Sequence, residues 1–206
     1  MHFFAITLII LLAAISPGPD FAIVVRNTLA YSRKAGLMTA LGVTMGILIH
    51  CTYCILGLGL VISRSLLAFT VIKYIGALYL IYLGIKGLLS KKPSHLKQTH
   101  HHLHGIALSQ AFRQGFFTNL LNPKGIMFLL AFFTLILDPK TPILSQIAYS
   151  FTVGVIHLGW FSLLSILLSH PYLKASLNKF QYVINKVFGA LLIGFGLRIA
   201  FLHHSA

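Results

Sequence analysis

The sequence has 206 residues, of which 57% are hydrophobic and 9% are charged, with a formal net charge of +14. A soluble domain averages roughly 45–50% apolar and about 25% charged residues, so this composition excludes an ordinary soluble fold. The length suffices for about six apolar helices of roughly 20 residues each and leaves no room for a separate soluble domain. The Lys and Arg residues fall between the apolar runs. We therefore infer that they orient the helices and contact anionic lipid headgroups, and that they do not bind nucleic acid.

Six apolar runs follow one another along the chain, and each predicts a transmembrane helix in a single membrane domain, residues 1–206. The predicted spans are Phe3–Val25, Leu37–Ile62, Leu66–Leu89, Phe112–Leu137, Ile143–Leu168 and Tyr182–Leu202. Glycines in spans two and six indicate close helix packing, because small residues let helix backbones approach each other in lipid. These glycines are Gly42, Gly46, Gly57, Gly59, Gly189, Gly194 and Gly196.

The Lys and Arg residues are distributed unevenly between the two ends of the spans. Most of them follow spans one, three and five, whereas Arg64, Lys73, Lys140 and Arg198 belong to the opposite side. The positive-inside rule therefore predicts a multi-pass protein with the larger set of Lys and Arg residues in the cytoplasm and both termini on the outer side of the membrane.

Three sequence echoes relate the two halves of the chain. Lys73–Leu78 (KYIGAL) is matched by Lys186–Leu191 (KVFGAL), TMGI in span two is matched by TVGV in span five, and prolines interrupt spans one and four. We therefore predict a first repeat at 1–89, a loop at 90–111 and a second repeat at 112–206. Because each repeat has three spans, the second enters the membrane from the opposite side. The predicted fold is all-α, with six transmembrane helices forming two inverted three-helix repeats, as in secondary transporters.

The prolines in spans one and four predict broken helices in mid-membrane, because proline lacks an N–H and clashes with the preceding turn. Peptide groups freed in this way are tolerated in a membrane where they pack in protein or line a wet cavity. Matched breaks in both halves therefore indicate a binding site for a small solute. The predicted site residues are Ser16, Pro17, Gly18, Pro19, Asp20, Asn119, Asn122, Pro123 and Lys124.

Asp20 and Lys124 are charged residues at the two breaks. A charge near the bilayer centre costs roughly 2.5–3.5 kcal/mol, so each needs a partner or a function. One interpretation is an ion pair that holds the halves together. The other is that Asp20 binds the ammonium of a zwitterion while Lys124, Asn122 or exposed helix N-terminal amides bind its carboxylate, or that the pair exchanges a proton. His50 and His157 lie inside spans, where they are either proton relays or packed, hydrogen-bonded side chains.

Two features of the sequence raise the alternative of divalent-metal binding. Cys51 and Cys54 have CxxC spacing, although on one face of an apolar helix they are expected to pack as small hydrophobic residues. The loop contains a tract that either binds a divalent metal or forms a solvated linker, with His95, His100, His101, His102 and His104. We predict no resident metal, no cofactor and no enzymatic activity, since the spans lack a nucleophile with its base or a set of carboxylates.

Several short motifs recur in a defined order along the chain. They are Ser16–Pro19 (SPGP), Arg33–Gly36 (RKAG), Lys73–Leu80 (KYIGALYL), Tyr82–Lys86 (YLGIK) and Asn119–Lys124 (NLLNPK). Together they resemble the LysE/RhtB family of amino-acid exporters, the LysE-type translocators, almost from end to end.

The resemblance implies a secondary transporter of the bacterial inner membrane that exports amino acids or related small metabolites in exchange for protons. The paired proline motifs of the family map onto Ser16–Asp20 and Asn122–Lys124. The implied partners are a small-molecule amino-acid substrate, protons as the coupling ion and membrane lipid, with a homo-oligomer as a further expectation. The alternative within the same superfamily is a divalent-cation exporter, which would need ligands facing the pore. The sequence offers His50, Cys51, Cys54 and His157 for them.

Overall fold

The computed structural model describes residues 2–90, 105–136, 141–168, 182–183, 186–194 and 196–197. All regular structure in these ranges is helical, which confirms the all-α prediction for this part of the chain. The helices are α1 (His2–Ile15), α2 (Pro19–Ala30), α3 (Arg33–Arg64), α4 (Leu66–Leu88), α5 (Leu108–Leu120), α6 (Pro123–Ile136), α7 (Ile143–Leu167) and α8 (186–194). By length and composition, α3, α4 and α7 each suffice to cross a membrane.

The first and fourth predicted spans are bent pairs of helices, which confirms that prolines break both. Ile6–Ile15 and Pro19–Ala30 meet at 54°, and Leu108–Leu120 and Pro123–Thr134 meet at 57°. Pro19 and Pro123 begin the second helix of each pair, where a missing N–H costs little because first-turn amides have no intrahelical acceptor. Asn122 also caps α6, since its Oδ1 accepts a hydrogen bond from the Lys124 backbone N–H at 3.1 Å.

Serine caps set the start of α3, which differs from the predicted one, and the start of α4, which is the predicted Leu66. α3 begins at Arg33 instead of Leu37, because Ser32 Oγ accepts a hydrogen bond from the Ala35 N–H at 3.1 Å. Ser65 ends α3 and caps α4 in the same way, with a 3.1 Å bond from the Ala68 N–H. The 32 residues of α3 span about 48 Å, more than the roughly 30 Å of hydrocarbon, so its charged ends can reach both headgroup regions.

The six-span inverted repeat stays a prediction. Counting each bent pair as one span gives up to five candidate spans within the described residues. The predicted sixth span, Tyr182–Leu202, lies partly outside them. The loop predicted at 90–111 is too long at its far end, because α5 already begins at Leu108.

Glycines allow α3 and α5 to pack with their backbones in contact. A Cβ at Gly42 would overlap the Phe112 carbonyl, and a Cβ at Gly115 would overlap the Thr39 carbonyl. Gly46 likewise lies against Asn119. The predicted packing role is therefore confirmed for Gly42 and Gly46.

The predicted glycine packing holds only in part elsewhere. Gly189 on α8 lies against the Gly84 carbonyl of α4, and Gly196 lies against Ile81 and Ala77. For Gly57, Gly59 and Gly194 the prediction is wrong within the described part of the chain. No neighbouring atom described there comes within 4 Å of a Cβ placed at any of these three positions. Glycine content alone does not reveal which face of a helix meets a neighbour.

The two breaks lie side by side and divide the bundle into two ends. Asp20 at the start of α2 contacts Asn119 near the end of α5, and Asn27, two turns further along α2, contacts Gln114. α2 and α5 therefore run antiparallel on one side of the breaks, while α1 and α6 extend on the other side. Apolar side chains fill both ends, with Ile10 and Phe133 in one core cluster and Val24 in the other.

Candidate functional site

The charged residue of each break reaches across to the other break. Asn119 Nδ2 and Asn122 Nδ2 each donate a hydrogen bond to Asp20 Oδ2 at 3.0 Å. In the opposite direction, Lys124 Nζ donates to Ser16 Oγ at 2.9 Å and to the Pro17 carbonyl at 3.0 Å. The structure thus brings the site residues predicted from the sequence into one cluster, with Gly18, Pro19 and Pro123 forming the backbone of the two breaks.

The local structure explains why Lys124 points toward α1. A cation in the first turn of a helix faces the positive end of the helix dipole, which is unfavourable. The end of α1 offers the opposite environment, since the Pro17 carbonyl is released where the helix stops at Ile15. Lys124 therefore stabilises the chain at the end of α1 and not the start of α6, the helix to which it belongs.

Asp20 and Lys124 do not bond to each other directly, although their opposite charges attract each other. The interpretation that this pair holds the halves together stays a prediction. All hydrogen bonds described for the two side chains go to neutral groups: amides for Asp20, a hydroxyl and a carbonyl for Lys124. These neutral groups are available because each break places its own amides or carbonyls beside the opposite charge. The two charges remain separate and line the same cavity.

Both charged groups keep bonding capacity that neighbouring side chains do not use. Asp20 Oδ1 is buried and has no hydrogen-bond partner among the described residues. Lys124 has three N–H donors and uses two of them. A buried carboxylate oxygen without a partner is costly, so a cation or a proton at Oδ1 would be stabilised there.

A cavity with about 40 Å³ of water-accessible space lies at the breaks, and its empty space comes to about 480 Å³ when the open solvent at its mouth is included. Space of about 40 Å³ holds a few water molecules, so in this conformation the cavity has to widen before it can take a small solute. Its polar lining is Ser16, Asp20, Asn122, Lys124 and His157, and its aromatic lining is Phe21, Phe128, Phe161 and Phe188. Charged groups at one part of an apolar chamber suit a small solute with charged ends and an uncharged body.

The two histidines predicted as relays occupy different positions. His50 Nε2 donates to the Asn119 carbonyl at 3.1 Å, so it supports the residue that holds Asp20 and is not part of the cavity lining. His157 Nδ1 donates to the Val153 carbonyl of its own helix at 2.8 Å and lines the cavity. Both rings are buried and hydrogen-bonded. Their role as proton relays stays a prediction.

A second polar cluster, which sequence reasoning missed, connects α2, α3 and α5. Asn27 is fully buried, and its Nδ2 donates to Thr39 Oγ1 and to Gln114 Oε1, both at 2.9 Å. Thr39 Oγ1 in turn donates to the Ala35 carbonyl at 2.8 Å. We call Asn27, Thr39 and Gln114 the polar latch. The isolated amides of Asn27 and Gln114 beside apolar runs were the available signal for it.

The aromatic lining of the cavity was also missed. Phe21, Phe128, Phe161 and Phe188 come from four different helices, and the sequence contains 16 phenylalanines. Nothing in the sequence distinguishes a phenylalanine that faces a cavity from one that faces lipid. Only the packing of the helices selects these four.

The described residues offer little for binding a metal. No group of three or more His, Cys, Asp or Glu side chains in the described ranges could hold a metal ion. Cys51 and Cys54 are free thiols in the apolar core, as expected from their surroundings. The histidine tract at 95–104 lies outside the described residues.

The sequence matches known proteins along nearly its whole length. The family model of the LysE type translocator matches residues 11–203. An uncharacterised membrane protein of Bacillus subtilis, YrhP, is 34% identical over 89% of this chain and 91% of its own length. The threonine efflux protein of Salmonella typhi is 30% identical, with 97% of both chains covered. The homoserine/homoserine lactone efflux protein of Salmonella typhimurium is 30% identical over 98% of this chain and 97% of its own.

No solved structure matches the chain. The residues that match the family model include both breaks, the cavity lining and the polar latch. Members of this family are membrane efflux proteins. The predictions of a transporter and of no enzymatic activity are therefore confirmed. The chain belongs to the LysE type translocator family.

Proposed function

We propose that this protein exports a small amino acid or a closely related metabolite across the inner membrane of a bacterium, in exchange for protons. The observation that carries the proposal is the pairing of Asp20 and Lys124 in one cavity, each with unused bonding capacity. The efflux of threonine and homoserine by relatives of about 30% identity supports the same substrate class.

A zwitterion complements both charged groups. Its ammonium can donate to Asp20 Oδ1, which is the buried oxygen without a partner, while its carboxylate can accept the third N–H of Lys124. Charge-assisted hydrogen bonds of this kind are roughly twice as strong as neutral ones. The cross-break bonds of Asp20 Oδ2 and of Lys124 hold both groups in place, so binding does not require them to reorganise first.

Competition at Asp20 accounts for proton exchange. The ammonium of a substrate and a proton both neutralise this carboxylate, so one replaces the other. A transporter that changes between its inward-open and outward-open conformations only when Asp20 is neutralised would carry substrate in one direction and a proton in the other. A single acidic side chain is thus enough for proton coupling in this scheme. The whole sequence has only two acidic residues.

The polar latch is the closed gate of this conformation. The cavity extends from the breaks along α1 and α6, whereas the latch joins α2, α3 and α5 about 10 Å beyond Asp20 on the other side. Gln114 belongs to the second half of the chain and Asn27 to the first, so the latch bonds the two halves. Alternating access through the α2 and α5 end requires these bonds to open.

We expect Gln114→Leu to weaken the gate, because it removes the bond between the halves. Losing a hydrogen bond worth about 0.5–1.5 kcal/mol should raise the open population roughly 2- to 10-fold. The measurement is maleimide labelling of Val24→Cys, a fully buried position between Asp20 and the latch, in a background with Cys51→Ala and Cys54→Ala. Gln146→Leu on α7 is the matched control, since Gln146 bonds to the Thr141 carbonyl instead. Equal labelling in both variants would contradict a gating role.

The charge distribution supports a membrane orientation with both termini in the periplasm. In that orientation the α2 and α5 end faces the cytoplasm, and the latch closes the side from which substrate loads. The homo-oligomer expected from the resemblance stays a prediction.

Transport by the purified, full-length protein in liposomes tests the proposal. The assay follows labelled amino acids and divalent cations, with amino-acid methyl esters and N-acetyl amino acids as competitors. Each derivative lacks one charged end, so we expect at least about tenfold weaker competition than by the parent amino acid. Transport of a divalent cation without any amino acid, or equal competition by both derivatives, would refute recognition of a zwitterion.

A further inference from the structure

The cavity contains one polar side chain that the zwitterion scheme does not use. Ser16, Asp20, Asn122 and Lys124 line the cavity at the two breaks, whereas His157 projects from α7. His157 is 6% exposed, and the neighbouring Phe161 ring on the same helix has its centroid 6.2 Å away. A polar ring within an otherwise aromatic and aliphatic wall is positioned to recognise the body of a substrate and not its charged ends.

The hydrogen bond of His157 determines what its free nitrogen can do. Nδ1 lies 2.8 Å from the Val153 carbonyl, and a carbonyl has no hydrogen to offer, so Nδ1 carries the proton. In the neutral ring Nε2 is then an acceptor with a lone pair. The ring has no other hydrogen bond in the described part of the chain. Nε2 is therefore available to accept a hydrogen bond from a donor in the cavity and cannot donate one to an acceptor.

We infer that His157 is a specificity-determining residue that selects small amino acids carrying a hydroxyl group on the side chain, by accepting the hydroxyl hydrogen at Nε2. This inference rests on the proposed amino-acid transport. The ammonium and carboxylate are held at Asp20 and Lys124, the hydroxyl at His157, and the apolar part of the side chain lies against the phenylalanines. A substrate without the hydroxyl leaves a buried acceptor without a partner, and the site discriminates against it for that reason.

Threonine and valine provide the sharpest comparison, because a hydroxyl in one replaces a methyl group in the other. The experiment measures transport of both amino acids by the full-length chain in liposomes. We expect the wild type to prefer threonine by roughly 10- to 100-fold. His157→Leu should bring the ratio of the two rates close to one, mainly through slower threonine transport. His157→Gln, which keeps an acceptor oxygen, should retain part of the preference and decides the question if the leucine variant does not fold.

Phe161→Leu is the matched control, since it alters the same wall of the cavity on the same helix without removing a polar atom. It should change both rates together and leave their ratio intact. An equal loss of threonine and valine transport in a folded His157→Leu protein would overturn the specificity role and favour a proton relay. A wild-type ratio near one, or an unchanged ratio in the variants, would also overturn it. If the wild type moves no amino acid at all, the proposed function itself fails, and the assignment of His157 fails with it.

Discussion

Asp20→Asn is expected to abolish amino-acid export while the protein remains folded and inserted in the membrane. The asparagine carbonyl oxygen can still accept the hydrogen bonds that Asn119 and Asn122 now donate to Asp20 Oδ2. The bonds between the two breaks therefore survive, and only the negative charge is lost. Removing one partner of a buried charge contact costs roughly 2–5 kcal/mol, which predicts a decrease in transport of about 30-fold or more. Efflux from loaded proteoliposomes measures it.

The control for this prediction is Asp138→Asn, the same chemical change at the only other acidic residue of the chain. It should leave the efflux rate within about twofold of the wild type, because the sequence places Asp138 in the connection after the fourth span. Membrane yield and thermal unfolding of both variants establish that they are folded. If Asp20→Asn exports at the wild-type rate, the carboxylate is dispensable, and the interpretation that it only joins the two halves would be favoured.

The sequence predicted the breaks because proline has few ways to fit into a membrane helix. Pro19 and Pro123 had to begin helices, and the observed bends follow directly. Helix ends were harder, because they depend on local caps. Ser32 extends α3 by a turn through one hydrogen bond to Ala35, which hydrophobicity does not register.

The composition of the site was predictable, but its bonding pattern was not. The scarcity of acids identifies Asp20, since an apolar sequence with two acids keeps one inside a span for a reason, and Lys124 is identified by its place at the matching break. Their hydrogen-bond partners depend on how the two breaks are placed beside each other. The freed Pro17 carbonyl accepts a hydrogen bond from Lys124, and the amides of Asn119 and Asn122 donate to Asp20. Opposite charges in a sequence suggest a direct bond between them, and only the arrangement of neutral groups decides otherwise.

Glycines illustrate the same limit for packing, since α3 contains both contact glycines and exposed ones. Gly42 meets the Phe112 carbonyl of α5, whereas nothing in the described part of the chain approaches a Cβ at Gly57. Both occur in apolar surroundings of one helix, so composition treats them alike. The helical phase relative to a neighbour separates them, and that phase is a property of the assembled bundle.

Gly42→Leu is expected to prevent stable folding, whereas Gly57→Leu on the same helix should be tolerated. The first Cβ would overlap a backbone carbonyl and lie 2.8 Å from the Phe116 nitrogen, and backbone atoms cannot rotate away as a side chain would. Overpacking typically costs about 1–3 kcal/mol, and here α3 and α5 must separate, which also pulls Thr39 away from Gly115 and strains the polar latch. We therefore expect more than about 3 kcal/mol of destabilisation.

The comparison of these two variants isolates packing from helix propensity. Replacing glycine by leucine favours a helix by nearly the same amount at either position, so this contribution cancels between them. Thermal unfolding and the monodisperse fraction of the detergent-solubilised proteins are the measurements. Gly42→Leu should lose most of its monodisperse protein, and Gly57→Leu should match the wild type or exceed it slightly. Equal behaviour of the two variants would show that α3 and α5 do not meet at Gly42, and the latch that depends on their contact would have to be abandoned as well.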